Sequence, residues 1–122
     1  MEGFKIMVID DEKIVGDMAK MSLVQEGYHV ETFLNAKPAL ERLSTEKFDV
    51  VVTDYKMKGI DGMEVLRTVK KSHPETKVIM ITAFANLDTA IEALREDVHD
   101  FFPKPVKIKE LNASISRALG NK

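Results

Sequence analysis

The stretch FDVVVTD, residues 48–54, decides the fold, because a strongly apolar run ends in the carboxylate Asp54 and a glycine-containing loop follows. The stretch IMVIDD, residues 6–11, repeats this arrangement and ends in Asp10 and Asp11. Runs that are apolar at every position are typical of parallel strands buried on both faces of a sheet. If the two strands are parallel neighbours, their carboxylates converge at one edge of the sheet. Like charges so close together repel one another, so the sequence predicts a bound cation there.

The composition is that of an ordinary globular protein. The chain has 122 residues, of which 44% are hydrophobic and 31% charged, and this predicts a single domain over residues 1–122. A net charge of −2 argues against a general nucleic-acid surface. The absence of cysteine excludes disulfides and thiolate metal sites. The N-terminus has no signal-peptide pattern and no apolar run is long enough to cross a bilayer, so we expect a cytoplasmic protein without membrane contact.

Short apolar runs alternate with segments of helical periodicity along the whole chain. The predicted strands cover residues 5–9, 29–33, 50–53, 78–81 and 100–102. Apolar residues at helical spacing predict a helix after each strand. The first helix is defined by Ile14, Met18 and Met21, and the fourth by a stripe that includes Leu87 and Leu94. The methionines are expected to fill the core, because a flexible thioether side chain adapts to irregular gaps.

The chemistry of the strands predicts their order. A strict alternation of strands and helices is typical of an α/β fold in which helices cover both faces of a parallel sheet, a three-layer sandwich. The first, third and fourth strands are uniformly apolar and belong in the centre. The second is mixed and the fifth is followed by Pro103, so both suit edges. The resulting order, 2-1-3-4-5, is that of a flavodoxin-like (βα)5 fold, in which ligands bind beyond the first and third strands.

Polar residues also follow the fourth and fifth strands. Thr82 ends one and Lys104 follows the other, so both should face the crevice that holds the three acids. In that crevice Asp54 could attack phosphorus and form an aspartyl phosphate. Asp10 and Asp11, together with Asp54, offer the oxygen ligands that Mg²⁺ prefers. The Lys104 ammonium and the Thr82 hydroxyl could bind the phosphoryl oxygens.

Four motifs at four strand ends make the chain similar to the receiver domains of two-component response regulators over essentially its whole length. They are Asp10-Asp11, Asp54, Thr82-Ala83 and Lys104-Pro105. The resemblance implies that Asp54 accepts a phosphoryl group from a sensor histidine kinase. It implies that Asp11 and Asp54 bind Mg²⁺, that Asp10 often acts through water, and that the Lys56 carbonyl adds a ligand. A cis peptide bond before Pro105 is implied as well.

The resemblance further implies a switch formed by Thr82 and Phe101. In receivers this pair reshapes a face made of the fourth helix, the fifth strand and the fifth helix. That face would bind a downstream effector or an output domain, and it often forms a homodimer. Asp97 stands where receivers commonly have glycine, so a left-handed backbone is expected there. Lys56 and Phe84 flank the site, and their bulk is expected to lengthen the phosphorylated lifetime.

Two other functions remain open from the residues alone. One is a phosphohydrolase with Asp54 as its nucleophile, although such enzymes usually carry a second acid where this chain has Lys56. The other is a pseudo-receiver, an interaction module that is never phosphorylated. Single residues also have simpler interpretations, since Asp11 could merely cap the first helix. No helix-turn-helix pattern follows the five units, so we expect this chain not to bind DNA directly.

Overall fold

The computed structural model describes residues 3–83 and 86–120. Its elements alternate along the chain as the sequence predicts. The strands are β1 (Lys5–Ile9), β2 (His29–Phe33), β3 (Val50–Asp54), β4 (Lys77–Thr82) and β5 (Asp100–Pro103). The helices are α1 (Lys13–Gln25), α2 (Ala36–Leu43), α3 (Gly62–Ser72), α4 (Leu87–Arg95) and α5 (Ile108–Ala118). The predicted strands differ from these by at most one residue at either end. The prediction about Phe84 falls outside the described residues.

The five strands form one parallel sheet in the order β2-β1-β3-β4-β5, which confirms the predicted order. In the centre of the sheet, Ile9 pairs with Thr53 across β1 and β3. On the other side of β3, Asp54 pairs with Ile81 of β4. The carboxyl ends of the central strands therefore lie side by side at one edge of the sheet.

The core has two layers, one on each face of the sheet. Alternate residues of β1 show the division: Met7 belongs to the layer beneath α2, α3 and α4, whereas Ile6 belongs to the layer beneath α1 and α5. All three central strands are buried on both faces, as their uniformly apolar sequences predict. Helices on both sides of a parallel sheet make the predicted three-layer sandwich.

Local signals in the sequence fix several helix ends. The Asp61 carboxylate accepts a hydrogen bond of 3.0 Å from the backbone N–H of Glu64, so it caps the start of α3. Gly27, with φ 94°, follows the end of α1 in the left-handed conformation that glycine adopts readily. Asp97 follows α4 with φ 67° and confirms the expected left-handed position.

The apolar stripes that define α1 and α4 in the sequence face solvent. The prediction that all methionines fill the core is therefore wrong for Met18 and Met21. Met18 is 52% exposed and Met21 68% exposed, whereas the other methionines of the described residues are buried. The residues that α1 buries are smaller on average, Gly16 and Ala19 together with Leu23. Small side chains let a helix lie close to a sheet, and the bulkier residues of α1 are left outside.

Helix α4 shows the same pattern. Its buried residues are Thr89 and Ala93, while Leu87 is 73% exposed and Leu94 67% exposed. An ion pair of 2.9 Å between Arg67 of α3 and Glu92 tethers the outer side of the helix. The contacts that hold α4 against the domain are therefore in large part surface contacts. Within residues 3–83 and 86–120, no helix is long and apolar enough to cross a membrane.

Candidate functional site

Three carboxylates meet at the carboxyl edge of the sheet. Asp10 directly follows β1, and Asp54 is the last residue of the neighbouring β3. One ligand oxygen from each of Asp10, Asp11 and Asp54 lies within 4.8 Å of the others. Asp10 and Asp54 are only 1% and 5% exposed, whereas Asp11 is exposed. The structure thus brings together the three acids that the sequence places at two strand ends.

Lys104 reaches into this group from the loop after β5. Its Nζ lies 2.9 Å from Asp10 Oδ2 and 3.0 Å from Asp54 Oδ2. Its backbone N–H donates to the carbonyl oxygen of Thr82 at 2.8 Å, which fixes the loop against the end of β4. The Lys104–Pro105 peptide bond is cis, as the family resemblance implies. The ammonium therefore lies between the two buried acids.

Glu12 is a member of the site that the sequence did not reveal. Its Oε1 lies 2.6 Å from Lys104 Nζ. Glu12 occupies the N-cap position of α1, and its side chain makes no capping hydrogen bond. Glutamate is not among the residues that favour this position, and that mismatch is the one signal that could have drawn attention to it. Because Glu12 is the N-cap, the alternative that Asp11 caps α1 is wrong.

Burial and charge act against each other at the two buried acids. Burial raises the pKa of Asp10, although the Glu12 backbone N–H and the Lys104 ammonium both act to lower it. Burial likewise raises the pKa of Asp54, against the opposing effect of Lys104. Burial disfavours the charged form of Lys104, but contacts with Glu12, Asp10 and Asp54 outweigh it and raise the pKa of the ammonium. The carboxylates of this site remain incompletely compensated.

The residues present fit a hard divalent cation. Asp10 Oδ2 is buried and close to Lys104 Nζ, but among the described residues it has no well-directed hydrogen bond. Its other oxygen, Oδ1, accepts a hydrogen bond of 2.8 Å from the Glu12 backbone N–H. A buried carboxylate oxygen without a hydrogen bond, beside two further acids, is a suitable ligand for a small cation with a preference for oxygen. Lys56 lies exposed in the loop after β3, two residues beyond Asp54.

Thr82 and Phe101 lie on neighbouring strands. Thr82 ends β4 and is fully buried. Phe101 pairs with Met80, two residues before Thr82, and packs against the core layer that contains Met80. Side chains two residues apart on a strand share a face, so Thr82 and Phe101 lie on the same side of the sheet. Both residues are therefore on the face of the sheet that α4 covers.

Gly62 is a second residue whose importance the sequence did not show. Its backbone N–H donates to the Tyr55 carbonyl oxygen at 2.6 Å, which closes the loop after β3. A Cβ atom at this position would lie 2.7 Å from Tyr55 Cα and would overlap the carbonyl oxygen of Asp54. Contacts this short to backbone atoms do not occur in folded proteins. The first residue of α3 therefore has no side chain because the backbone of Asp54 occupies that space.

The comparisons with known proteins agree with this geometry. The family model of the response regulator receiver domain matches residues 6–116. The chain belongs to this family. The predicted resemblance is thus confirmed, and so is the fold.

Particular relatives and solved structures show the extent of the similarity. The chain is 34% identical over 116 residues to the DNA-binding transcriptional regulator NtrC of Escherichia coli strain K12, covering 95% of this chain and 25% of the relative. A receiver domain from Methanospirillum hungatei JF-1 has a TM-score of 0.92 at 30% identity and covers 96% of this chain and 94% of its own. The beryllofluoride-activated NtrC4 receiver domain dimer has a TM-score of 0.90 at 28% identity, with coverages of 95% and 96%. This receiver domain spans about a quarter of the length of the first curated relatives that it matches.

Proposed function

We propose that this domain is a phosphorylation-controlled switch of a two-component system, with Asp54 as the phosphoacceptor. The observation that carries the proposal is the position of the Asp54 carboxylate. It lies 3.0 Å from the Lys104 ammonium and within 4.8 Å of two further acids. A carboxylate between a cation and a group of metal-binding oxygens is arranged for attack on an anionic phosphorus centre.

In the proposed reaction Asp54 attacks the phosphohistidine of a sensor histidine kinase. A bond forms between an Asp54 oxygen and phosphorus while the phosphorus–nitrogen bond breaks. The leaving imidazole nitrogen keeps the electron pair of that bond and is reprotonated from solvent. Lys104 and the Thr82 hydroxyl bind oxygens of the transferred group, so negative charge is met by donors already in place. The domain promotes its own phosphorylation and dephosphorylation and does not turn over a separate metabolite.

Mg²⁺ is the proposed cofactor. Asp10, Asp11 and Asp54 would hold it, together with the backbone carbonyl of Lys56. When bound, it supplies positive charge that offsets the charge of the phosphoryl group. The raised pKa of Asp10 and Asp54 supports this assignment, because burial disfavours their negative charge even beside the Lys104 ammonium.

Phosphorylation is proposed to change the face formed by α4, β5 and α5, which binds the partner. Thr82 and Phe101 share a face of the sheet, so a movement of the threonine toward the phosphoryl group makes room for the aromatic ring to turn inward. Exposed Leu87 and Leu94 on α4 offer an apolar contact for a downstream effector, an output domain or a second copy of the domain. The solved NtrC4 receiver is a dimer, which supports the last of these. We place the protein in the cytoplasm. We propose that this domain does not bind nucleic acid directly.

Incubation with Mg²⁺ and a small phosphodonor such as acetyl phosphate tests the proposal. Intact-mass spectrometry should show one added phosphoryl group in the wild-type protein and none in Asp54→Asn, since an amide is not a nucleophile toward phosphorus. Multiple turnover of the donor would identify a phosphohydrolase instead. A folded wild-type protein that takes up no phosphoryl group would identify a pseudo-receiver.

The switch is tested separately by Thr82→Ala. We expect this variant to be phosphorylated on Asp54 but to show a weakened change in the amide spectrum of α4 and β5. Beryllofluoride titrations followed by NMR, with the wild-type protein as reference, measure that change. An undiminished response in Thr82→Ala would contradict the role of the hydroxyl.

A further inference from the structure

Three carboxylate oxygens surround the Lys104 ammonium in the unmodified site, and those of Glu12 and Asp54 accept hydrogen bonds from it. An ammonium has three N–H donors. Three carboxylate oxygens lie within 3.0 Å of Nζ, from Glu12 at 2.6 Å, Asp10 at 2.9 Å and Asp54 at 3.0 Å. When a phosphoryl group is attached to Asp54, its oxygens add new acceptors at this point. A phosphoryl oxygen that binds Lys104 here therefore competes with the carboxylates that already lie around Nζ.

Exposure decides which carboxylate is released. The Asp10 side chain is fully buried, so bulk water cannot take the place of the ammonium there. The Glu12 side chain is 60% exposed, and water can take the place of the ammonium at once. Asp54 is the residue that carries the phosphoryl group. Glu12 is therefore the partner whose contact with Lys104 is the least costly to break.

We propose that Glu12 is a positioning residue for phosphorylation: it holds one N–H donor of Lys104 in the unmodified site and gives it up to the phosphoryl group. This inference rests on the proposed function of Asp54. Glu12 touches no reacting atom and acts only through Lys104. It thereby competes with the phosphoryl group and lowers the stability of the phosphorylated form relative to the unmodified one.

Beryllofluoride is a suitable probe, because it places a tetrahedral anionic group on a carboxylate. Its apparent dissociation constant is measured at saturating Mg²⁺ by two-dimensional NMR on the wild-type domain and three variants. Glu12→Gln removes the charge and the ion pair. Glu12→Asp keeps the charge but shortens the side chain by one methylene, so we expect its carboxylate to lie beyond hydrogen-bond distance of Nζ. Asp17→Asn is the matched control, since Asp17 pairs with Lys13 on the outer surface of α1.

We expect Glu12→Gln to bind beryllofluoride roughly two- to fivefold more tightly than the wild type, as the strength of an exposed ion pair implies. Glu12→Asp should also bind more tightly, and Asp17→Asn should be unchanged. Unfolding midpoints measured without beryllofluoride check that all four proteins are folded.

Three results would overturn the proposal, and they are distinguishable. Unchanged or weaker binding by Glu12→Gln would show that Glu12 does not compete for Lys104. Wild-type affinity in Glu12→Asp beside tighter binding in Glu12→Gln would show that bulk charge, and not the contact, is responsible. A folded wild-type protein that binds no beryllofluoride and takes up no phosphoryl group would overturn the function proposed for Asp54 as well.

Discussion

Two charged clusters of this domain each place a cationic side chain beside carboxylates, and the pKa of the carboxyl groups shifts in opposite directions. Between β2 and α2, the Arg42 guanidinium donates two hydrogen bonds of 2.8 Å to Glu31. This contact lowers the pKa of the Glu31 carboxyl to about 2. At the carboxyl edge of the sheet, the Lys104 ammonium lies as close to Asp10 and Asp54, yet the pKa of both acids is raised. A nearby cation is thus not enough to decide whether a carboxylate is stabilised.

The difference lies in burial and in the ratio of charges. Glu31 has a bidentate partner and is in part hydrated, so its negative charge is well compensated. At the carboxyl edge, Lys104 is shared among Asp10, Asp54 and Glu12, and the two aspartates are almost completely buried. The first cluster stabilises the folded chain, whereas the second retains an unfavourable negative charge that a ligand can compensate. Functional sites commonly break the rules that the remainder of a fold obeys.

The two clusters should differ most in stability when the cationic side chain of each is removed. Lys104→Met leaves buried carboxylates without their ammonium, and we expect a loss of about 3 kcal/mol in the free energy of unfolding near neutral pH. The raised pKa values give the direction of the pH dependence: protons bind more tightly to the folded form, so the variant regains stability as the pH falls. Urea unfolding in Mg²⁺-free buffer measures both effects.

Arg42→Met is the matched control, because water can hydrate Glu31 once the guanidinium is gone. We expect it to cost much less than Lys104→Met does. Addition of Mg²⁺ should restore stability to Lys104→Met. The difference in the free energy of unfolding between Arg42→Met and the wild type should not change when Mg²⁺ is added. Equal losses in the two variants would contradict the distinction between the clusters.

The backbone of Asp54 constrains the residue that begins α3. Gly62→Ala places a methyl group against the carbonyl of Asp54, and we expect a cost of about 2 kcal/mol together with slower phosphorylation. Gly16→Ala in α1 is its control. There the added Cβ would meet Thr32 at 3.6 Å, an ordinary contact, and alanine should stabilise the helix by about 0.5–1 kcal/mol. Thermal unfolding of both variants gives the sign, and a stabilised Gly62→Ala would contradict the close approach.

The well-compensated acid Glu31 should show a smaller effect than Lys104 or Gly62. Glu31→Gln should lower the free energy of unfolding by about 1 kcal/mol near neutral pH, less than the pKa shift implies because water screens the pair. A depressed pKa gives stability that is present above 4.5, the ordinary value, and is lost as the pH falls toward 2. The difference between variant and wild type should therefore shrink over that interval. A difference that is constant with pH would exclude the ionic contribution.

The sequence predicted the strand order and the residues of the acid site because both follow from local patterns. Uniformly apolar runs mark the central strands, and parallel pairing brings their final residues together. The same logic places Thr82 and Lys104 at the correct edge. These inferences need only the period of the pattern and the direction of the strands.

The rest depends on distances that no local pattern encodes. Glu12 and Lys104 are 92 residues apart in the chain and meet only because the loop after β5 returns to the start of α1. Gly62 is constrained by a backbone atom of another element. The exposed stripe of α1, with Met18 and Met21, has the spacing of a buried face. Helical period alone does not state which of two apolar sides is turned inward.

The shallow attachment of α4 has an energetic consequence for signalling. A helix that buries only Thr89 and Ala93 and is tethered at the surface by the ion pair of Arg67 and Glu92 uncovers little apolar surface when it shifts. In the proposed switch, a modest contribution from the site would therefore suffice to move α4. Such a movement of α4 would leave the two core layers of the sheet in place.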